Sequence, residues 1–122
     1  MNVNLANEGT YDPNGLLAGE DQVTRPITNL SGGAPVLRGT VLGKVTATGS
    51  YVPSLAAAVD GSQVARAILV NDADATGGAV AAQIYDAGSF NEGKLILGAG
   101  HTLASVREDL RSVGIHLKTV QA

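Results

Sequence analysis

The clearest helical pattern in the chain lies near its C-terminus. Four apolar side chains recur there at helical spacing, namely Leu103, Val106, Leu110 and Val113. Such a stripe is typical of a helix that packs one face on a core. Thr102 suits the N-cap because its hydroxyl can accept a hydrogen bond from the first turn, and Gly114 suits the C′ position. The pattern predicts a helix over residues 103–113, followed by a closing strand over residues 115–120.

Short apolar runs separated by Gly and Pro predict strands in the rest of the body. They lie at residues 25–30, 36–48, 51–53, 67–70, 80–85 and 94–97. Within the second run, one phase of the alternation is apolar and consists of Leu37, Val41, Val45 and Ala47. Gly39 and Gly43 lie on that phase, which predicts a bulge or a close backbone approach. Residues 55–59 fit one helical turn, and residues 89–93 fit a turn.

The first 24 residues follow neither the strand period nor the helix period. The segment has no Lys or Arg before Arg25 and contains Glu8, Asp12, Glu20 and Asp21, which gives it a charge of −4. We therefore expect an arm over residues 1–24 that gains order on a partner, and a body over residues 25–122. The predicted fold class is α+β, mostly β, with a compact body of short strands, one C-terminal helix and an extended N-terminal arm. Charge alone also fits a simple solvated terminus.

The composition narrows the possible partners. The 122 residues suit one domain, and a hydrophobic fraction of 44% is enough to build a core. Only 3% of the residues are aromatic and 16 are Gly, so small aliphatic side chains must fill the interior, and association would add buried apolar surface. The absence of Cys excludes disulfides and thiolate chemistry. Because the sequence has no basic patch and no apolar run of membrane length, we expect neither nucleic acid nor a membrane as a partner. Because it has no export signal, we expect a protein that is made and used without export.

Three fragments resemble known ligand-binding motifs but lack residues that those motifs require. Residues 39–44 have one residue too few between the glycines of a phosphate-binding loop. Residues 72–77 begin like a calcium loop, but its twelfth position is Gln83 instead of a carboxylate. Residues 98–102 run into the predicted helix without the rest of a dinucleotide fingerprint. The two histidines, His101 and His116, make no metal site by themselves. We predict no catalytic residue, no cofactor and no metal, and hence no enzyme.

Several stretches of the sequence match those of a known protein family and occur in the same order along the chain. They are RPIT at 25–28, LRGTVLGKVTATG at 37–49, DGSQ at 60–63, AIL at 67–69, GSFNE at 88–92 and the segment 101–115. Over about residues 24–118 the chain resembles the bacteriophage lambda-type head decoration proteins. The resemblance implies homotrimers on the outside of the expanded phage head, where they bind the major capsid protein and stabilise the shell. It also implies a virion protein, assembled in the host cytoplasm, whose N-terminal segment orders by adding to a capsid sheet.

We predict that residues 4–28 dock on the capsid by strand addition. The candidate capsid-binding residues are Leu5, Tyr11, Leu16 and Leu17 as apolar anchors, and Thr24, Arg25, Pro26 and Ile27 as the strand that joins arm and body. In the alternative interpretation these side chains pack on the chain's own body. Two other functions stay open: a small-molecule-binding or hydrolytic β domain that uses His101, and another virion or tail structural protein such as a fibre adaptor.

Overall fold

The computed structural model describes Leu16 and residues 22–118. In chain order its elements are β1 Val23–Leu30, β2 Pro35–Val36, β3 Val41–Lys44, β4 Tyr51–Pro53, β5 Ala65–Leu69, β6 Ala73–Asp74, β7 Val80–Asn91, a 3-10 turn Glu92–Lys94, α1 Leu103–Arg111 and β8 Ile115–Lys118. This described part of the protein is thus mostly β with one α-helix near the C-terminus, as predicted. No helix in this described part of the chain is long and apolar enough to cross a membrane.

Six strands form one sheet that closes on itself like a small barrel. The strand order is β1-β4-β3-β5-β7-β8, and β1 also pairs with β7, which closes a ring of five strands and leaves β8 outside it. The long strand β7 makes this closure possible. Its first part pairs with β1, and its last part, from Gly88 to Asn91, pairs in parallel with β8. Strands β2 and β6 form a separate two-stranded sheet.

The buried side chains form two clusters on opposite faces of the sheet. The first includes residues of α1 and consists of Leu16, Val41, Ala65, Ile68, Tyr85, Phe90, Val106, Leu110 and Ile115. The second consists of Ile27, Leu30, Val36, Leu42, Tyr51, Ala67, Leu69 and Ile84. Strand β5 contributes to both, since successive side chains of a strand point to opposite faces. Where a strand is buried on both faces it has no polar phase, which explains the continuous apolar run Ala67–Leu69 that follows the exposed Arg66.

The predicted helix is confirmed, with a correction at its end. The Thr102 hydroxyl accepts a hydrogen bond from the Ser105 N–H, and the Ser105 hydroxyl accepts one from the Thr102 N–H, which forms a capping box. The helix ends at Arg111, two residues before the predicted end, and Ser112 is its C-cap. Gly114 is therefore not at C′. With φ of 94° it makes the turn that leads into β8.

The strand predictions were wrong where long-range pairing decides the structure. Strand β7 continues through the predicted turn as far as Asn91 because β8 pairs with it there. Residues 94–97 form no strand, and only Ile96 makes a single bridge, to Thr40. The phase of residues 36–48 was also wrong in part. Leu37 precedes β3 and is 53% exposed. Leu42 lies within β3 and is fully buried, because both faces of that strand are covered. Residues 55–59 contain no helix.

The close backbone approach predicted at Gly43 is confirmed. The pairing of β3 with β5 shifts register between Leu42 and Gly43, and a Cβ at Gly43 would collide with the backbone carbonyl of Ser62. A backbone carbonyl cannot move aside as the end of a flexible side chain can. Gly43 is therefore required by packing.

We expect Gly43→Ala to destabilise the body by about 1–3 kcal/mol, the usual cost of overpacking. Gly77→Ala is the matched control, because no atom lies within 4 Å of the added methyl group. That change should leave the free energy of unfolding within about 1 kcal/mol of the unsubstituted chain. Urea unfolding of both variants measures the difference, and equal midpoints would contradict this account of Gly43.

Candidate functional site

The structure places some of the predicted capsid-binding residues and not others. Leu5, Tyr11 and Leu17 lie outside the described residues. Leu16 is fully buried in the first cluster beside Gly39, and its carbonyl oxygen accepts the Asn91 N–H at 2.6 Å. For Leu16 the alternative interpretation therefore holds, since the side chain packs on the chain's own body. We remove it from the candidate anchors.

The strand that was predicted to join arm and body from Thr24 onward begins at Val23, one residue earlier than expected. Val23, Thr24, Arg25 and Pro26 are exposed, whereas Ile27 is buried in the second cluster. Ile27 is therefore a core residue that fixes β1 on the barrel, and it is not available to a partner.

One edge of β1 is paired and the other is largely open. Along the first edge, residues from Val23 to Leu30 pair with β7. Along the second edge, the pairing with β4 consists of Leu30 with Tyr51 alone. Within the described part of the chain, no strand covers this second edge from residue 23 to residue 28. An uncovered edge can accept a further strand, or the strand can continue into a partner's sheet.

Arg25 holds the exposed start of β1 against the barrel. Its guanidinium donates to the Tyr51 hydroxyl at 2.9 Å and to the Asp86 carboxylate at 3.3 Å, and it lies 5.9 Å from the centre of the Tyr51 ring. The Tyr51 hydrogen bond and then the Asp86 hydrogen bond keep the pKa of Arg25 above its ordinary value. Both charged side chains are almost half exposed, so water screens the ion pair and its energetic contribution is small. The sequence gives no signal for this cluster, because its members are 26 and 61 residues away from Arg25.

The surroundings of His101 bear on the hydrolytic alternative. Its Nε2 lies 3.0 Å from the Ser54 hydroxyl oxygen, and its Nδ1 lies 2.9 Å from that of Ser105. The Ser54 hydroxyl is fully buried and donates to the Ser62 carbonyl at 2.7 Å. A nucleophile must reach its substrate, and the histidine that activates it is normally oriented by a third group such as a carboxylate. Here the hydroxyl is inaccessible and the third group is a serine, so His101 joins a loop to the start of α1.

The rest of the described surface was compared with what a metal site or a small-molecule site requires. Among Leu16 and residues 22–118, no three His, Asp or Glu side chains group as metal ligands. A wide groove of about 540 Å³ lies beside β1, between Pro26–Thr28, Asn71–Ala73 and Ala81–Gln83. Its charged group, Asp72, already accepts the Arg38 N–H at 2.7 Å. The groove fits a contact surface better than a small-molecule site, which would offer several converging polar groups.

Comparison with known proteins adds one finding. The family model described as bacteriophage lambda head decoration protein D matches residues 5–116. No curated protein matches the chain. The matched region includes the barrel, the helix and the start of β8, and it extends into the segment predicted to be an arm.

Proposed function

Because the chain belongs to the family of bacteriophage lambda head decoration protein D, we propose that it binds as a homotrimer to the outside of the expanded phage head and stabilises the shell. The observation that supports this most directly is the family match over almost the whole chain. The partner is the major capsid protein, and the protein is part of the virion after assembly in the host cytoplasm. No catalysis and no cofactor belong to this function.

The proposed capsid-binding element is the arm together with the exposed start of β1. The open edge of β1 and its exposed residues Thr24, Arg25 and Pro26 support this assignment. Main-chain hydrogen bonds to a capsid strand would supply affinity, and alternate side chains would set the register. Leu5, Tyr11 and Leu17 stay the proposed apolar anchors. We also propose that the body begins before residue 25, which is supported by the packing of Leu16 in the first cluster and by the start of β1 at Val23.

Stabilisation follows from the number of attachments. A trimer has three arms, and once one arm binds, the other two bind at high effective concentration if the geometry allows it. Arms that engage different capsid subunits hold those subunits together. Internal pressure must then break several contacts at once to separate neighbouring subunits, so the bound trimer acts as a mechanical clamp.

The test is co-sedimentation with expanded heads that lack decoration protein, taken from the phage that encodes this chain. We expect the full chain to pellet with the heads to saturation and to raise the temperature at which the heads release DNA. Isolated tails from the same phage are the comparison, because a fibre adaptor would pellet with tails and not with heads. A chain that stays in the supernatant with expanded heads would contradict the proposed function.

A further inference from the structure

Tyr51 of β4 holds β1 at two separate points. Its main-chain carbonyl accepts the Ser31 N–H at 2.8 Å, next to the pairing of Leu30 with Tyr51 that joins β1 to β4. Its side chain reaches back toward the start of β1, where the hydroxyl accepts a hydrogen bond from the Arg25 guanidinium at 2.9 Å. Tyr51 therefore bridges the stretch of β1 with which β4 does not pair.

The Tyr51 side chain is itself fixed in the core. It is only 6% exposed and packs in the second buried cluster. On β3, Lys44 pairs with Tyr51, and the Lys44 ammonium lies 5.9 Å from the centre of the Tyr51 ring. A side chain that is buried to this extent offers almost no surface to another protein. Any effect of its hydroxyl on a partner must therefore pass through Arg25.

Arg25 connects the strands on the two sides of β1. Besides Tyr51 on β4, its guanidinium contacts the Asp86 carboxylate on β7 at 3.3 Å. Asp86 is the extra residue of a bulge, since Val23 pairs with Ala87 and the next residue of β1 pairs with Tyr85. A bulge redirects the side chain of its extra residue. The planar guanidinium can serve two such partners at once because its N–H groups point in different directions.

These contacts hold β1 without covering its open edge. Arg25 and Ile27 are two residues apart in the strand, so both side chains point to the face that carries the second cluster. The main-chain N–H and C=O groups point sideways instead, along the sheet. In the described part of the chain, no strand pairs with that edge at residues 23–28. The edge is thus fixed from one face and still available to a partner strand.

We infer that Tyr51 is a positioning residue for head attachment, which acts through Arg25 and holds the start of β1 extended before the capsid binds. This inference rests on the proposed function and gives a role in it to a buried residue that does not touch the capsid. A segment that is already ordered loses less conformational entropy on binding than one that must first be ordered. Without the Tyr51 hydroxyl, the start of β1 is held less firmly and each arm binds more weakly.

The first test is Tyr51→Phe, which keeps the ring in the core and removes only the hydroxyl. The lost hydrogen bond should weaken head binding by roughly 2- to 10-fold for each arm. Because the three arms of a trimer bind together, the losses multiply in the apparent affinity of the trimer. The measurement is a titration by co-sedimentation with expanded heads that lack decoration protein, at a temperature where the variant is folded by circular dichroism.

The matched control is Tyr85→Phe. Tyr85 is also 6% exposed, and its hydroxyl accepts a hydrogen bond from the Arg38 guanidinium at 3.2 Å, with Arg38 5.9 Å from the ring centre. The variant loses the same atom and the same kind of hydrogen bond, but Arg38 lies outside β1. We expect the two variants to lower the unfolding temperature by similar amounts, whereas only Tyr51→Phe weakens head binding. A merely structural role of the Tyr51 hydroxyl predicts equal head binding by both.

The second test is a double-mutant cycle with Arg25→Ala. If Tyr51 acts through Arg25, adding Tyr51→Phe to Arg25→Ala weakens head binding no further. Losses that add would overturn the proposed connection. Arg25→Lys covers the case in which Tyr51→Phe does not fold, because it keeps the charge and loses the planar group that serves two partners. Weakened binding by Arg25→Lys supports the positioning role, and full binding would show that only the charge matters.

The outcomes separate this inference from the function on which it rests. If the unsubstituted chain pellets with heads and Tyr51→Phe binds as well as Tyr85→Phe does, the inference is wrong and the decoration role is intact. If the unsubstituted chain stays in the supernatant, the proposed function is wrong and the inference falls with it.

Discussion

Removal of residues 1–14 should abolish binding to expanded heads without lowering the unfolding temperature of the body. The deletion takes away Leu5 and Tyr11, two of the proposed anchors, with two of the four acidic side chains. It leaves every described member of the two buried clusters in place, including Leu16. Loss of three arms removes the gain from multiple attachment, which is worth roughly 10²- to 10⁴-fold in affinity.

A longer deletion, of residues 1–20, is the informative comparison. It removes Leu16 as well, so it should lose head binding and thermal stability together. Co-sedimentation and thermal unfolding of both variants therefore separate a docking role from a core role within one short segment. If the variant that lacks residues 1–14 pellets with heads as the full chain does, the arm is not the docking element.

The helix could be predicted because its signals are local. The apolar stripe and the N-cap hydroxyl lie within about a dozen consecutive residues, and the structure confirms Thr102 as the N-cap. Its exact end could not be predicted. Both Ser112 and Gly114 are compatible with a C-terminal position, and the turn into β8 decides between them.

The strands were less predictable because their limits depend on distant partners. Strand β7 is 12 residues long because β1 and β5 both pair with its first part and β8 pairs with its last part, and no local pattern in residues 86–91 shows this. The apolar phase of β3 failed for a similar reason. When both faces of a strand are covered, alternation no longer tells which side chain lies inside.

In the candidate site, too, features that depend on neighbouring residues could be predicted, whereas contacts between distant residues could not. The start of β1 could be located near Pro26, because a proline favours a strand start or an exposed strand edge. Leu16 and Leu17 were not distinguishable, since adjacent leucines in an aperiodic segment carry identical signals. The family could be identified because several matching stretches occur in the same order along the sequence. Those stretches do not reveal the ion pair between Arg25 and Asp86.

Leu16→Ala should lower the free energy of unfolding by about 2–5 kcal/mol, the usual cost of truncating a buried leucine. Leu16 is fully buried and packs in the cluster that also contains Phe90 and Leu110, so the lost methyl groups leave a cavity. In a domain of this size each kcal/mol corresponds to roughly 4 °C, and the unfolding temperature should fall by on the order of 10–20 °C. Val23→Ala, at an exposed position, should change stability by less than about 0.5 kcal/mol.

The same variant decides between the two interpretations of Leu16. A core residue that makes no capsid contact should leave head binding unchanged at temperatures where the variant is folded. An anchor on the capsid would give the opposite pair of results, with weakened co-sedimentation and an unfolding temperature close to that of the full chain. Binding and unfolding measured on one preparation therefore test whether the body begins before the arm ends, since Leu16 lies within the segment predicted to be the arm.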